Sequence, residues 1–280
     1  MTIETSPPLF LDGTPRIAYR RQGSGPAAVF LHGIGGNSLN WSGQCNTLSD
    51  RYATVAWDAR GYGFSDDYEG DLSFESFADD LIRLLDALDL AQAHLVGLSM
   101  GARILMDFQA RYPGRAATLT LCDCHFGFQT ALTPEKRAEF IRLRQQPLRE
   151  GKSFADLAPT LINSLVGPNC TETAQADLLE SILALHVDSY LKTIAASTNF
   201  DRGNDLSDFD LPVNLIYGEH DRLTPPSIGE DIAARISGAT LRILPDAGHL
   251  SNLEQPEAFN AALENFLGQH HDLASRLERS

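Results

Sequence analysis

Short apolar runs alternate with stretches of helical periodicity along most of the chain. The runs Ala27 to Leu31, Ala53 to Trp57, His94 to Leu98, Ala117 to Leu121, Val213 to Tyr217 and Thr240 to Leu244 are too short for helices and too continuously apolar for a sheet with one wet face. They predict strands buried on both sides. Between the second and third runs, Phe74, Phe77, Leu81, Leu84, Leu85 and Leu88 recur at helical spacing, with Ser73 placed to cap and Glu75 in the first turn. This segment predicts a crossover helix. Near the N-terminus, Ile17 and Tyr19 alternate with charged residues from Arg16 to Arg21, which predicts an antiparallel edge hairpin with Leu9 to Leu11. The sum is an α/β architecture: a mostly parallel eight-stranded sheet with helices on both faces.

The rhythm breaks between His125 and Asn204, where roughly eighty residues carry helical patterns and no convincing strand before the sheet resumes at Val213. The predicted organisation is one core domain, residues 1–124 and 205–280, with a helical lid inserted at 125–204. Within the insertion, Lys136, Arg137, Arg142, Arg144, Arg149 and Lys152 gather positive charge that could favour an anion at a cleft mouth. Glu135, Glu139 and Glu150 interleave with them, which favours a solvated helix face instead.

Composition narrows the partners. A formal net charge of −15 opposes attraction to phosphate backbones and anionic lipid, so neither nucleic acid nor a membrane is an expected partner, and a small-molecule substrate is. No apolar run reaches membrane-spanning length, and Glu4 stands where a secretion signal would be basic. A cytoplasmic location is expected. The four cysteines, Cys45, Cys122, Cys124 and Cys170, match neither metal-site spacing nor a disulfide framework. Cys122 and Cys124, two apart at the end of a strand, are expected as small buried hydrophobes on one face. Composition carries no signal for an oligomeric state.

Candidate chemistry lies where the strands end. Gly97-Leu98-Ser99-Met100-Gly101 joins the strand His94 to Leu98 to a helical stretch, the setting a nucleophile elbow needs. A serine hydroxyl is a poor nucleophile at neutral pH and requires a base, itself oriented by a carboxylate. Asp221 follows the strand Val213 to Tyr217, and His249 follows the strand Thr240 to Leu244, so nucleophile, acid and base occur in the order of this fold class. Asp123 is an alternative acid. The oxyanion that forms needs backbone donors, for which the N–H groups of Met100 and Ile34 are the candidates, with Gly35 the alternative to Ile34. Trp41 is a candidate substrate-pocket wall or, equally, a core residue. The loop His32-Gly33-Ile34-Gly35-Gly36 does not complete a dinucleotide fingerprint, because Ser38 stands where the last glycine is required. No cofactor and no metal is implied.

Through the His32-Gly33 loop, the Asp58 to Ser65 turn, the Ser99 elbow and the His249 loop, the sequence resembles the α/β-hydrolase superfamily from about Arg16 to Leu267. More narrowly, the Ser99 pentapeptide, Gly218-Glu219-His220-Asp221 with Thr224-Pro225-Pro226, and His249-Leu250-Ser251-Asn252-Leu253-Glu254-Gln255-Pro256-Glu257 resemble 3-oxoadipate enol-lactonases. Ala102 departs from the glycine usual there. The resemblance implies an α/β-hydrolase fold and cofactor-free hydrolysis of a carboxylate-bearing lactone. The same residue set also serves C–C bond hydrolases of diketones and cofactor-free perhydrolases. The fold can also act as a ligand-binding receptor, but an intact serine, acid and base favour turnover.

Overall fold

A computed structural model of the protein describes residues 7–127 and 133–278. Its sheet runs in the order β1-β2-β4-β3-β5-β6-β7-β8, formed by Leu9–Leu11, Ile17–Gln22, Ala53–Trp57, Gly25–Leu31, Ala93–Leu98, Ala116–Cys122, Val213–Gly218 and Thr240–Leu244. From β4 to β8 every pairing is parallel, while β1 and β2 form the antiparallel edge hairpin. A ninth strand, β9 (Arg276–Leu277), pairs antiparallel with Gly25 and Pro26 of β3. Two residues in a charged tail carry no periodic signal, so the eight-stranded expectation omits it.

Alternation along the strands builds two cores. Val29 and Leu31 of β3 face a cluster containing Phe77, Leu81, Leu84 and Leu85 of α2 (Phe74–Ala87) and Ile104, Leu105 and Phe108 of α3 (Met100–Arg111). Ala28 and Phe30 face the opposite cluster, formed with Leu48 of α1 (Ser42–Leu48) and with Phe259, Leu263 and Phe266 of α10 (Pro256–Gln269). Each fully buried Leu or Phe contributes about 1.5–3 kcal/mol against the entropy of ordering the chain. Ser73 caps α2, accepting from the Ser76 N–H. Among the described residues, no helix is long and apolar enough to cross a membrane.

Cys122 and Cys124 are both buried but do not share a face. The strand ends at Cys122, Asp123 takes φ +44°, and the chain turns so that Cys122 packs in one cluster and Cys124 in the other. Strand periodicity does not survive that turn.

Four helices separate β6 from β7: α4 (Pro134–Arg149), α5 (Phe154–Leu165), α6 (Glu172–Leu183) and α7 (Val187–Asn199). Their inward residues, among them Phe154, Ile162, Ile182 and Ile194, join the core cluster on the α2 and α3 face. After β7 the chain crosses through α8 (Pro226–Arg235) to β8, and α9 (Ser251–Glu254) leads into α10. The connection after β3 leads to β4 on one side, whereas the connection after β5 leads to β6 on the other. A crevice opens between adjacent strands whose connections diverge in this way. The Ile34 loop and Ser99 follow these two strands.

Candidate active site

Ser99 sits at φ +54°, ψ −108°, a conformation that L-residues rarely adopt and that the surrounding backbone must enforce. Its N–H donates to Cys122 O at 2.8 Å, and its carbonyl accepts from Arg103 N at 3.2 Å. The flanking glycines make the turn possible. A Cβ on Gly97 would lie 2.5 Å from backbone atoms of Gly101 and Ala102, and one on Gly101 would lie 2.2 Å from Leu31 O. Ala102, by contrast, is accommodated in the core. Although Ser99 occupies the N-cap position of α3, its hydroxyl makes no capping bond and instead lies 3.0 Å from His249 Nε2.

Behind the imidazole, His249 Nδ1 lies 2.8 Å from Asp221 Oδ2. The carboxylate is held by three donors: Leu223 N at 2.8 Å, Thr224 N at 2.9 Å and Thr224 Oγ1 at 2.5 Å. Burial opposes ionisation of Asp221, but the His249 charge and these hydrogen bonds outweigh it and hold its carboxyl below the usual range. Burial likewise opposes a charged His249, and the adjacent Asp221 outweighs it, so the imidazole is more basic than a free histidine.

Asp123, the alternative acid, makes no bond to His249. Its carboxylate accepts from Gly218 N at 2.8 Å and from the Ser251 hydroxyl. Burial, with the Asp221 charge, pushes its carboxyl up to about 8. His220 is exposed, with Nε2 3.7 Å from Glu219 Oε2.

The His249 loop is clamped from the helical insertion. His249 N donates to Leu165 O at 2.7 Å, and the buried Glu254 carboxylate accepts from Gly167 N at 2.6 Å and Gly248 N at 3.1 Å. A Cβ on Gly248 would lie 2.4 Å from Gly167 N, so β7, the histidine loop and the α5–α6 turn meet through bare backbone. The sequence alone does not reveal this brace, because Glu254 sits in a polar turn, Ser251-Asn252-Leu253-Glu254-Gln255, where one more acidic residue does not stand out.

The Ile34 loop is set by His32. Its Nε2 accepts from Ala59 N at 3.1 Å, which places the ring proton on Nδ1, 2.8 Å from Gly33 O. Gly36 N donates to the same carbonyl at 3.1 Å. In a trans peptide the N–H points opposite its carbonyl, so fixing Gly33 O fixes the direction of the Ile34 N–H. Met100 N–H, at the first position of α3, is one of the helix donors with no intrahelical partner.

Ser99 and His249 open into a cavity of about 490 Å³ whose walls are mainly apolar, among them Ile34, Leu161, Ile182 and Ile194. Trp41 does not line it. The indole packs between Phe30 and Phe259, with ring centroids at 5.3 and 5.9 Å, on the sheet face covered by α1 and α10. The pocket-wall reading of Trp41 is therefore corrected to a core role. Of the basic residues of the insertion, only Arg144 reaches the cavity. Arg142 is exposed and paired with Glu139 at 2.7 Å, so it belongs to a solvated helix face. Arg103 and His125, which sequence reading did not assign to the site, line the cavity beside Ser99.

The sheet order and the strained strand-to-helix turn at Ser99 define the class of fold. Residues 28–262 match the alpha/beta hydrolase family, and the chain belongs to it. It is 28% identical over 244 residues, 87% of this chain and 89% of the relative, to 3-oxoadipate enol-lactonase 2 of Acinetobacter baylyi. It is 29% identical over 273 residues to a 2-hydroxy-6-oxononadienedioate/2-hydroxy-6-oxononatrienedioate hydrolase of Burkholderia vietnamiensis, covering 91% and 92% of the two chains. Among solved structures, a thermophilic esterase from Thermogutta terrifontis with malate bound superposes with TM-score 0.86 at 26% identity, over 95% of this chain and 100% of that one. The protein is a hydrolase.

Proposed function

We propose that the protein hydrolyses an ester or lactone of a small substrate through an acyl-enzyme on Ser99. The observation that carries this reading is the unbroken chain Ser99 Oγ, His249 and Asp221, at 3.0 and 2.8 Å, opening into an apolar cavity. In the first step the Ser99 oxygen bonds to the carbonyl carbon while His249 Nε2 takes the hydroxyl proton. The Ile34 and Met100 N–H groups stabilise the oxyanion. Collapse expels the alkoxide, which receives the proton from His249. Water, deprotonated by the same nitrogen, then attacks the acyl carbon and releases Ser99. The helical insertion acts as a lid that excludes bulk water from the cavity.

The relatives support a hydrolase but differ in what their names say they act on, so the bond type is tested directly. The panel pairs a small enol-lactone, an aryl ester and a β-diketone, with product acids quantified. Turnover of the first two without the third is expected. Preferential cleavage of the diketone would move the assignment to C–C hydrolysis, and no turnover of any of the three would overturn it.

A pH profile tests the base. His249 must be neutral to accept the proton, and Asp221 stabilises its protonated form, so activity should be lost early on acidification. The acid limb of kcat/KM is expected above the ordinary histidine value of 6.5 and belongs to the coupled pair. A limb at or below that value would contradict the role.

A further inference from the structure

We propose that Arg103 is the recognition group for a carboxylate on the substrate, which selects esters and lactones carrying a free acid over neutral ones. The inference rests on the ester or lactone reading above and assigns the specificity of that same site.

Arg103 lies one helical turn beyond Ser99 on α3, in a run otherwise made of Met100, Gly101, Ala102, Ile104, Leu105 and Met106. Its side chain lines the cavity that Ser99 and His249 open into, yet the residue is only 3% exposed. A buried guanidinium is normally paired with a carboxylate, because an uncompensated charge is costly away from water. Here, among the described residues, no carboxylate pairs with it. The protein carries a net charge of −15, so acidic partners are not scarce. Asp107, four residues further along the same helix, is taken instead by Arg111 and Arg202, at 2.6 and 2.5 Å.

The contacts Arg103 does make are neutral. Nη1 donates to Ser197 O at 2.9 Å and lies 3.3 Å from His125 Nε2, and Nη2 donates to Ser197 Oγ at 2.5 Å. These occupy three of the five guanidinium N–H donors and leave two with no protein acceptor among the described residues. The rings of Phe74 and Phe200, 5.5 and 5.9 Å away, stabilise a cation without neutralising it. Burial lowers the guanidinium to about 10, so it remains charged at neutral pH. Its titratable neighbours Cys124 and Tyr62 are held protonated by their own burial.

A fixed, desolvated cation in the reaction cavity, with donors to spare, has the chemistry of a carboxylate acceptor. The other arginines of the cavity differ in burial. Arg222 is exposed and donates to Asn163 O and Val166 O, and Arg144, stacked on Phe140 at 4.8 Å, is only half-buried. The substrate class is therefore a small ester or lactone ending in a carboxylate, such as a half-ester of a short dicarboxylic acid.

The test compares 4-nitrophenyl hemiglutarate with the neutral 4-nitrophenyl pentanoate, which match in length. The wild type should favour the anion in kcat/KM by roughly tenfold or more, the lower end of the coupling that a close charge pair contributes. Arg103→Met should bring the ratio near or below one, and Arg103→Lys should retain part of it. Arg142→Ala, on the solvated face, should keep the wild-type ratio. Independently of turnover, calorimetry on Ser99→Ala should detect glutarate binding that 1,5-pentanediol does not show, and Arg103→Met in that background should abolish it. If Arg103→Met does not fold, Arg103→Lys carries the assignment, since a partial loss of the ratio there and none in Arg144→Ala places the carboxylate on Arg103. Equal hydrolysis of both esters, or equal binding of glutarate and the diol, overturns the role of Arg103 alone. Hydrolysis of neither ester, with glutarate still bound through Arg103, overturns the esterase reading and leaves the carboxylate site standing.

Discussion

Replacing Ser99 with Ala is expected to lower kcat by about a millionfold, because a nucleophile and its base act as a unit and removing either forfeits nearly all of their joint effect. The hydroxyl lies 3.0 Å from His249 Nε2 and makes no capping bond in α3, so alanine removes the attacking atom and little else. Alanine retains the Cβ that the position already tolerates at φ +54°. The folded state should survive, with circular dichroism and the melting temperature close to wild type. Kinetics on a purified variant check this. Activity within tenfold of wild type would remove Ser99 from the mechanism.

Asp221→Asn is expected to cost about 10⁴ in kcat, the scale seen when an asparagine behind a catalytic histidine stabilises the wrong tautomer. The Asp221 carboxylate accepts at once from Leu223 N, Thr224 N and the Thr224 hydroxyl and lies 2.8 Å from His249 Nδ1. An amide there turns an NH₂ group toward Nδ1, so that nitrogen must accept and Nε2 carries the proton. Nε2 then cannot take a proton from Ser99. Asp123→Asn provides the contrast. That carboxyl is pushed up to about 8 and bonds Gly218 and Ser251 rather than the histidine, so its loss should have a far smaller effect on kcat. Kinetics on the two variants side by side separate the assignments, and the reverse ranking would make Asp123 the acid.

The strands β3 to β7 were legible because each is a short apolar run buried on both faces, and the bounds of β4 and β8 coincide with the runs read from sequence. But β8, also expected to be buried, is the sheet's edge strand, with Thr240, Arg242 and Ile243 exposed. Ser99, Asp221 and His249 could be singled out for a related reason: each follows a strand of the parallel part of the sheet, and parallel sheets gather their strand ends on one side. What the sequence hid depends on three-dimensional coincidence. Asp123 looks like one more residue at a strand end, yet its positive φ ends the strand and sends Cys124 to the other core. Trp41 reads equally as core or pocket until the sheet face it packs on is known. The brace among Glu254, Gly167 and Gly248 joins segments 87 residues apart, and no periodicity encodes such a meeting. Arg103 did carry a local signal, a single charge one turn into a helix apolar on the positions around it. Its meaning emerges only with α7, which places Ser197 against the guanidinium.

The most direct test of the account is the identity of the covalent intermediate. Rapid acid quenching of the wild type during turnover of a slow aryl ester, followed by proteolysis and mass spectrometry, should find the acyl group on the peptide containing Ser99. The same adduct should be absent from Ser99→Ala and should accumulate when a slowly deacylating ester is used. An acyl group on any other residue, or full turnover in the Ser99→Ala protein, would contradict the account.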